Sequence, residues 1–285
     1  MTLKAASDLA IDLAYEGKFP ESERQFRDVW QIDRDNLGKD DPTTIAAEAN
    51  VAAILIRENK NGDAAQVLPD LLERDRRVLG AGHPNTLRDM GNFALTLRNS
   101  HRYPEAEKLF RETLALKTQK LGAEDRSTLV TAGNLASVLQ DEHKYSEAEP
   151  LLRQTVAAEE RTLGKEHSDT LVSTGDLGQV LSQEGHYAEA ERILKKTYDT
   201  FQRLFGLDHE DTAQTAYNLA ALYAAEGRKS EAVVLLTSAI DHGLPSQSDL
   251  EVGSDPMLKS LKGDPAFEVV LTDARRHASA SQAAK

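Results

Sequence analysis

The chain has no cysteine in its 285 residues, a single tryptophan, and only 5% aromatic residues. Without cysteine there is no disulfide framework, no thiolate metal site and no cysteine nucleophile, which fits a reducing compartment. Sparse aromatics beside 40% hydrophobic residues suit thin packed layers better than one large core. No apolar run reaches the ~20 residues needed to cross a bilayer, and residues 1–18 lack the basic start and apolar centre of a signal peptide. A soluble cytoplasmic protein with no membrane association is therefore expected. An excess of basic residues is missing as well: the formal net charge of −13 argues against nucleic-acid binding, which needs clustered Lys and Arg.

Catalytic signatures are also wanting. The chain has no G-x-x-x-x-G-K-[ST] phosphate loop, no H-E-x-x-H, no G-x-S-x-G and no G-x-G-x-x-G. Carboxylate pairs such as Asp40-Asp41 and Glu159-Glu160 fall in predicted linkers or helix ends and read as solvated charge. The expectation is a protein with no catalytic residues and no cofactor.

What the chain does have is a period. Leu-Gly recurs at 37–38, 79–80, 121–122 and 163–164, and as Phe205-Gly206, each step (79−37, 121−79, 163−121, 205−163) being 42 residues. Thr2, Thr44, Thr86, Thr128, Thr170 and Thr212 keep the same register, as do Asn50, Asn92, Asn134 and Asn218, with Asp8 and Asp176 in that column. Ala64, Ala106, Ala148, Ala190 and Ala232 form a third column, each preceded by an acid. A fixed spacing of ~20–50 residues marks stacked copies of one supersecondary unit.

Each copy reads as two helices. Leu87, Met90, Phe93, Ala94 and Leu97 recur at three- and four-residue steps and predict a helix A over about 84–100. Arg102-Tyr103-Pro104 turns the chain, and Ala106, Leu109, Phe110, Leu114 and Leu121 mark a helix B ending at Gly122, suited to a left-handed cap. The alanine column lets A and B approach closely, while Leu109, Leu151, Ile193 and Leu235 are expected to fill the space between neighbours. Acids such as Glu105, Glu147 and Glu189 open the B helices, where the helix dipole favours negative charge. Pro69 lies inside one predicted B helix, so a bend or a shortened segment is expected there. The fold class is an all-α solenoid of about six helix pairs, with repeats at about 2–41, 42–83, 84–125, 126–167, 168–209 and 210–241. Asp255-Pro256 and Asp264-Pro265 predict two short capping helices within 242–277, with Leu258, Leu261, Phe267, Val270 and Leu271 covering the last pair. Residues 278–285 are expected to be a disordered tail.

Asn92-Phe-Ala94, Leu97, Tyr103, Glu105-Ala106-Glu107 and Leu121-Gly122 resemble the tetratricopeptide repeat in the 42-residue form of kinesin light chains and many bacterial repeat proteins. Similar signatures are Asn134-Leu-Ala136 with Tyr145-Ser-Glu-Ala-Glu149, Asp176-Leu-Gly178 with Tyr187-Ala-Glu-Ala-Glu191, and Asn218-Leu-Ala220 with Ser230-Glu-Ala232. The resemblance implies a right-handed superhelix whose concave groove binds a peptide or partner segment. It places Asn50, Asn92, Asn134, Asp176 and Asn218 on the groove side of helix A, where amides can donate to and accept from an extended main chain, as the matching asparagines do in kinesin light chains. A structural role tying neighbouring helices together is the alternative. Arg57, Arg88 and Arg98 flank the early asparagines and are expected to draw an acidic or carboxylate-bearing segment to the second and third repeats.

His83, His167 and His209 share a linker column. Separated by whole repeats, they cannot converge on one ion, so no metal site is expected; helix capping is, with Asp41 and Asp125 as substitutes. His101, His143 and His186 fall in A-to-B turns and are expected to be exposed. Three functions stay open: a scaffold or adaptor with a peptide groove, a regulatory tail of a larger signalling protein such as a bacterial serine/threonine kinase, and a self-associating solenoid of undetermined oligomeric state.

Overall fold

A computed structural model describes residues 2–244 and 252–283, with side chains described through Arg276. The chain divides into two compact units, Met1–His143 and Lys144–Lys285. Among the described residues there are helices and turns and no strand.

The first unit contains α1 (Leu3–Tyr15), α2 (Phe19–Leu37), α3 (Pro42–Arg57), α4 (Asn61–Val78), α5 (Pro84–Asn99), α6 (Tyr103–Leu121) and α7 (Arg126–Asp141). Each helix packs on the next, and α5 also touches α3 and α7, so successive A helices lie side by side. The second unit contains α8 (Tyr145–Thr162), α9 (Ser168–Gln183), α10 (Tyr187–Phe205), α11 (Glu210–Ala225), α12 (Lys229–Asp241), a 3-10 turn (Pro256–Leu261) and α13 (Pro265–Ala283). Here α9 packs on both α8 and α11, repeating the arrangement.

Local chemistry sets the boundaries. Later A helices start at side-chain caps: Asp41 and Asp125 accept from backbone amides two residues on, and His83, His167 and His209 do the same through Nδ1 at 3.2–3.3 Å. The linker histidines are thus caps, as the sequence implied. Helices α2, α6 and α10 stop at Gly38, Gly122 and Gly206, where φ is 84–96° and ψ is 158–177°. The positive φ was expected, but the extended ψ places these caps in a region open essentially to glycine alone, outside the left-handed helical well.

The core follows the columns with one correction. The alanine column is fully buried, and beside it Leu68, Phe110, Leu152, Leu194 and Leu236 are 0–1% exposed. Of the residues given the filling role on sequence grounds, Leu109 is buried at 8% exposure, whereas Leu151, Ile193 and Leu235 are only half-buried. One residue is ~100° around a helix, which turns the earlier column toward the edge of the interface. Pro69 does not shorten α4, which runs Asn61–Val78 across it. The ring faces solvent while Leu68 and Leu71 are buried, so water can serve the carbonyl that proline leaves unpaired. Pro150 is accommodated the same way on the exposed face of α8.

At the C-terminal end Asp255 accepts from the Met257 amide and Asp264 from that of Ala266, starting the two expected elements. The first is 3-10 and the second is long. Leu258, Leu261, Phe267 and Val270 are buried; the 3-10 turn packs on α11, and α13 packs on α12. The last helix continues to Ala283, past residue 278, where the sequence analysis expects disorder to begin; its alanine-rich end is a strong helix former. Residues 284–285 and Pro245 lie outside the described residues.

Candidate peptide-binding site

In the first unit α5, α6 and α7 enclose a pocket of about 290 Å³. Its floor is Phe110 and Leu87, both buried, and its rim includes Val130 and Leu121, which are 46% and 49% exposed. Asn92 from α5 and Asn134 from α7 both line it, as does Arg88. One period of 42 residues (134−92) repeats the same face on the next A helix, so both residues line one cavity.

Lys117 and Lys120 complete the rim. Lys117 Nζ donates to Thr131 Oγ1 at 2.9 Å and to the Ser127 carbonyl at 3.2 Å, and its burial pulls its pKa below the usual lysine value. The Lys120 stem lies over Gly82, where an added Cβ would come within 2.8 Å of Cε. The pocket therefore combines apolar walls, two amides that donate and accept, and three cationic side chains. A short extended segment carrying a carboxylate fits that chemistry.

The other expected residues are dispersed. Asn50 is half-buried on α3, outside this pocket. Arg57 is exposed and lies over the Tyr15 and Phe19 rings, 6.0 and 5.5 Å from their centroids. Arg88 pairs with the buried Asp89 at 3.0 Å, and Arg98 Nε donates to Asp141 at 2.6 Å. Asp176 is half-buried on α9, in the second unit. Asn218 is 6% exposed and accepts from Gln214 at 3.2 Å, on a helix packed against α9, α10, α12 and the 3-10 turn. Packing at the C-terminal end takes it out of any exposed ladder.

Lys117, Lys120, Val130 and Thr131 are lining residues that sequence reasoning missed. A signal was present: Lys117 occupies the column of Asp33, Asp75, Glu159 and Phe201, a base where three other repeats carry an acid. The three acids of that column are buried. The Asp75 carboxyl lies against that of Asp89, with both residues at most 1% exposed, and burial first, then Asp89, push it up to about 7. Burial likewise raises Glu159 to about 7, the nearby Ser173 hydroxyl opposing. Glu159 is thus not the solvated charge expected from its place beside Glu160; it faces the next A helix at 2% exposure. No helix among the described residues is long and apolar enough to cross a membrane.

The tetratricopeptide repeat profiles match residues 2–43, 66–119, 127–203 and 187–242. A search of curated proteins finds no match. Among solved structures, the chain is similar to a putative kinesin light chain with nearly identical TPR-like repeats from Podosopora anserina (23% identity, 70% of this chain and 95% of that one, TM-score 0.64). It is also similar to the apo form of RapI (14% identity, 98% and 99%, TM-score 0.76) and to a tetratricopeptide repeat protein from Parabacteroides merdae (15% identity, 97% and 92%, TM-score 0.65). At these identities the structures speak for the fold alone. With its 42-residue period, its capped helix pairs and the profile matches over most of its length, the chain belongs to the tetratricopeptide repeat family.

Proposed function

We propose that the protein is a non-catalytic interaction scaffold of the cytoplasm that holds a carboxylate-bearing peptide segment of a partner on the face formed by α5, α6 and α7. The observation that carries this reading is the convergence of Asn92 and Asn134 with Arg88, Lys117 and Lys120 around an apolar-floored pocket. The amides bind main chain, the cations select a carboxylate, and Phe110 and Leu87 take one apolar side chain. We place the acidic preference expected for the second and third repeats at the third repeat and the first helix of the fourth, because Arg88, although it also pairs with Asp89, lines the pocket there, whereas Arg57 and Arg98 are not among its lining residues. Asn50 remains a candidate for extending the contact within the first unit, and Asp176 is by itself a candidate contact residue of the second unit.

The test is a fluorescence anisotropy titration with a labelled ten-residue peptide alternating Leu and Glu, against its Gln counterpart. The Glu peptide is expected to bind at least about tenfold more tightly, a difference of ~1.4 kcal/mol, and to lose that advantage with Lys117→Gln plus Lys120→Gln. Equal affinities for the two peptides would refute the carboxylate preference.

Self-association is a second reading, favoured by Leu9, Ile11, Tyr15 and Ile32, which are 41–80% exposed on α1 and α2. Light scattering over a concentration series tests it: a mass that stays at 31.3 kDa would refute it.

A further inference from the structure

A second register position, at the opposite end of the helices, carries a recurring charge arrangement. In the first unit Glu23 from a B helix and Glu58 from the end of the next A helix are bridged by Lys60, whose Nζ is 2.7 Å from one carboxylate and 2.9 Å from the other. In the second unit the same positions, 168 residues later (191−23, 226−58, 228−60), hold Glu191 and Glu226, bridged by Arg228 at 2.8 and 3.1 Å. Where the acids are replaced by Ala65 and Ser100, Arg102 turns instead to Glu105 at 2.6 Å. Two facing carboxylates and one strong base thus go together, because converging anions need a cation between them.

One repeat departs from this rule. At Glu149 and Glu184 the third position is His186. One ligand atom from each of these three residues lies within 4.8 Å of the other two. Glu184 Oε2 is buried, as is Glu58 Oε2 at the matching position, where Lys60 lies 2.9 Å from it. Arg153 Nε donates to Glu149 Oε1 at 2.7 Å while also holding Glu189, so it orients Glu149 without bridging the pair. Where the other repeats place an ammonium or a guanidinium, this one places an imidazole, whose ring nitrogen can ligate a metal ion.

We propose that Glu149, Glu184 and His186 form a divalent-metal site, with zinc or a similar imidazole-preferring ion in the place that Lys60 and Arg228 occupy in the other repeats. A ring nitrogen with two carboxylate oxygens is a ligand set that zinc accepts, with water in the fourth position. Tetrahedral bonds of ~2.1 Å put ligand atoms ~3.4 Å apart, so the side chains close by about an ångström through rotamer adjustment. Arg153 is the outer partner that holds one ligating carboxylate in place. The ion would tie the end of α9 and the start of α10 to α8.

The experiment is calorimetric titration of the full chain with zinc chloride at pH 7.5, comparing wild type with His186→Lys, which restores the residue type of Lys60. The variant is expected to fold, with an unchanged helical circular dichroism spectrum. Wild type is expected to bind one zinc ion, and His186→Lys and Glu184→Gln each to weaken that binding at least tenfold. Zinc should also raise the melting temperature of wild type and leave that of His186→Lys unmoved, and magnesium should bind wild type at least tenfold more weakly than zinc. Absence of saturable zinc binding, or an affinity within twofold in His186→Lys, would overturn the proposal.

Discussion

Lys117 stands one 42-residue period after Asp75, and both side chains point at the same position of the next A helix: Asp75 meets Asp89, and Lys117 donates to Thr131 at 2.9 Å. The interface position that buries a carboxyl at Asp33, Asp75 and Glu159 here holds an ammonium. In the proposed function that exchange is what draws an anion to the pocket between α5 and α7, and it leaves Asp75 and Glu159 as buried acids with consequences of their own.

The first consequence is pH dependence. Asp75 and Glu159, both raised to about 7, hold protons in the folded protein that an unfolded chain releases near pH ~4. Stability therefore falls as pH rises from ~4 through ~7 and levels off above that. Asp75→Asn and Glu159→Gln should each flatten this fall and stabilise the protein at pH 8 by on the order of 1–3 kcal/mol, the cost of an unsatisfied buried polar group. Thermal melts at pH 5, 6.5 and 8 check this; a wild-type melting temperature that climbs over that range would contradict it.

Core register gives the second prediction. Leu152 is fully buried and Leu151 only partly. Leu152→Ala is expected to cost about 2–5 kcal/mol and Leu151→Ala less than half of that. Urea unfolding of the two variants compares them directly, and equal losses would mean that the interface is centred on the other column.

Helix ends give the third. Gly122 has φ 96° and ψ 158°, and a Cβ there meets no neighbouring atom within 4 Å. Gly122→Ala should therefore destabilise through backbone strain alone, by about 1–3 kcal/mol. Gly91 lies inside α5, also with open space around it, and Gly91→Ala should stabilise by up to about 1 kcal/mol. Opposite shifts of the two melting temperatures are the expected result.

The repeat was legible because it is written in residues whose roles are local or strictly periodic. Proline and acid caps, small alanines and Leu-Gly endings depend only on their own helix pair, so the helix boundaries could be read to within a residue or two. What could not be read depends on partners far away in sequence. Arg98 looked available until Asp141, 43 residues on, was seen to accept from it. Glu159 looked solvated because its cover comes from α9, and Asn218 looked open although its helix packs against α9, α10, α12 and the 3-10 turn, the last of which lies beyond the period. Lys117 was legible in principle, since a base where three other repeats carry an acid is visible without a structure.

Arg98 also supports a prediction about selectivity. Its pair with Asp141 leaves the two side chains 33% and 27% exposed, so the pair contributes little to stability. Arg98→Glu should change affinity for the alternating Leu-Glu peptide by less than about threefold, whereas Arg88→Glu, at the pocket rim, should weaken it by about tenfold or more. Anisotropy titrations of the two variants rank them, and the reverse order would relocate the binding face.

The most direct test of the scaffold reading follows the side-chain amide resonances of Asn92 and Asn134 by two-dimensional NMR while the Leu-Glu peptide is added, with the Gln peptide as control. The account predicts that both amides shift together and saturate with the Glu peptide, and that Asn92→Ala plus Asn134→Ala abolishes binding while leaving the helical spectrum intact. Saturable binding that moves neither amide, or that survives the double substitution, would contradict it.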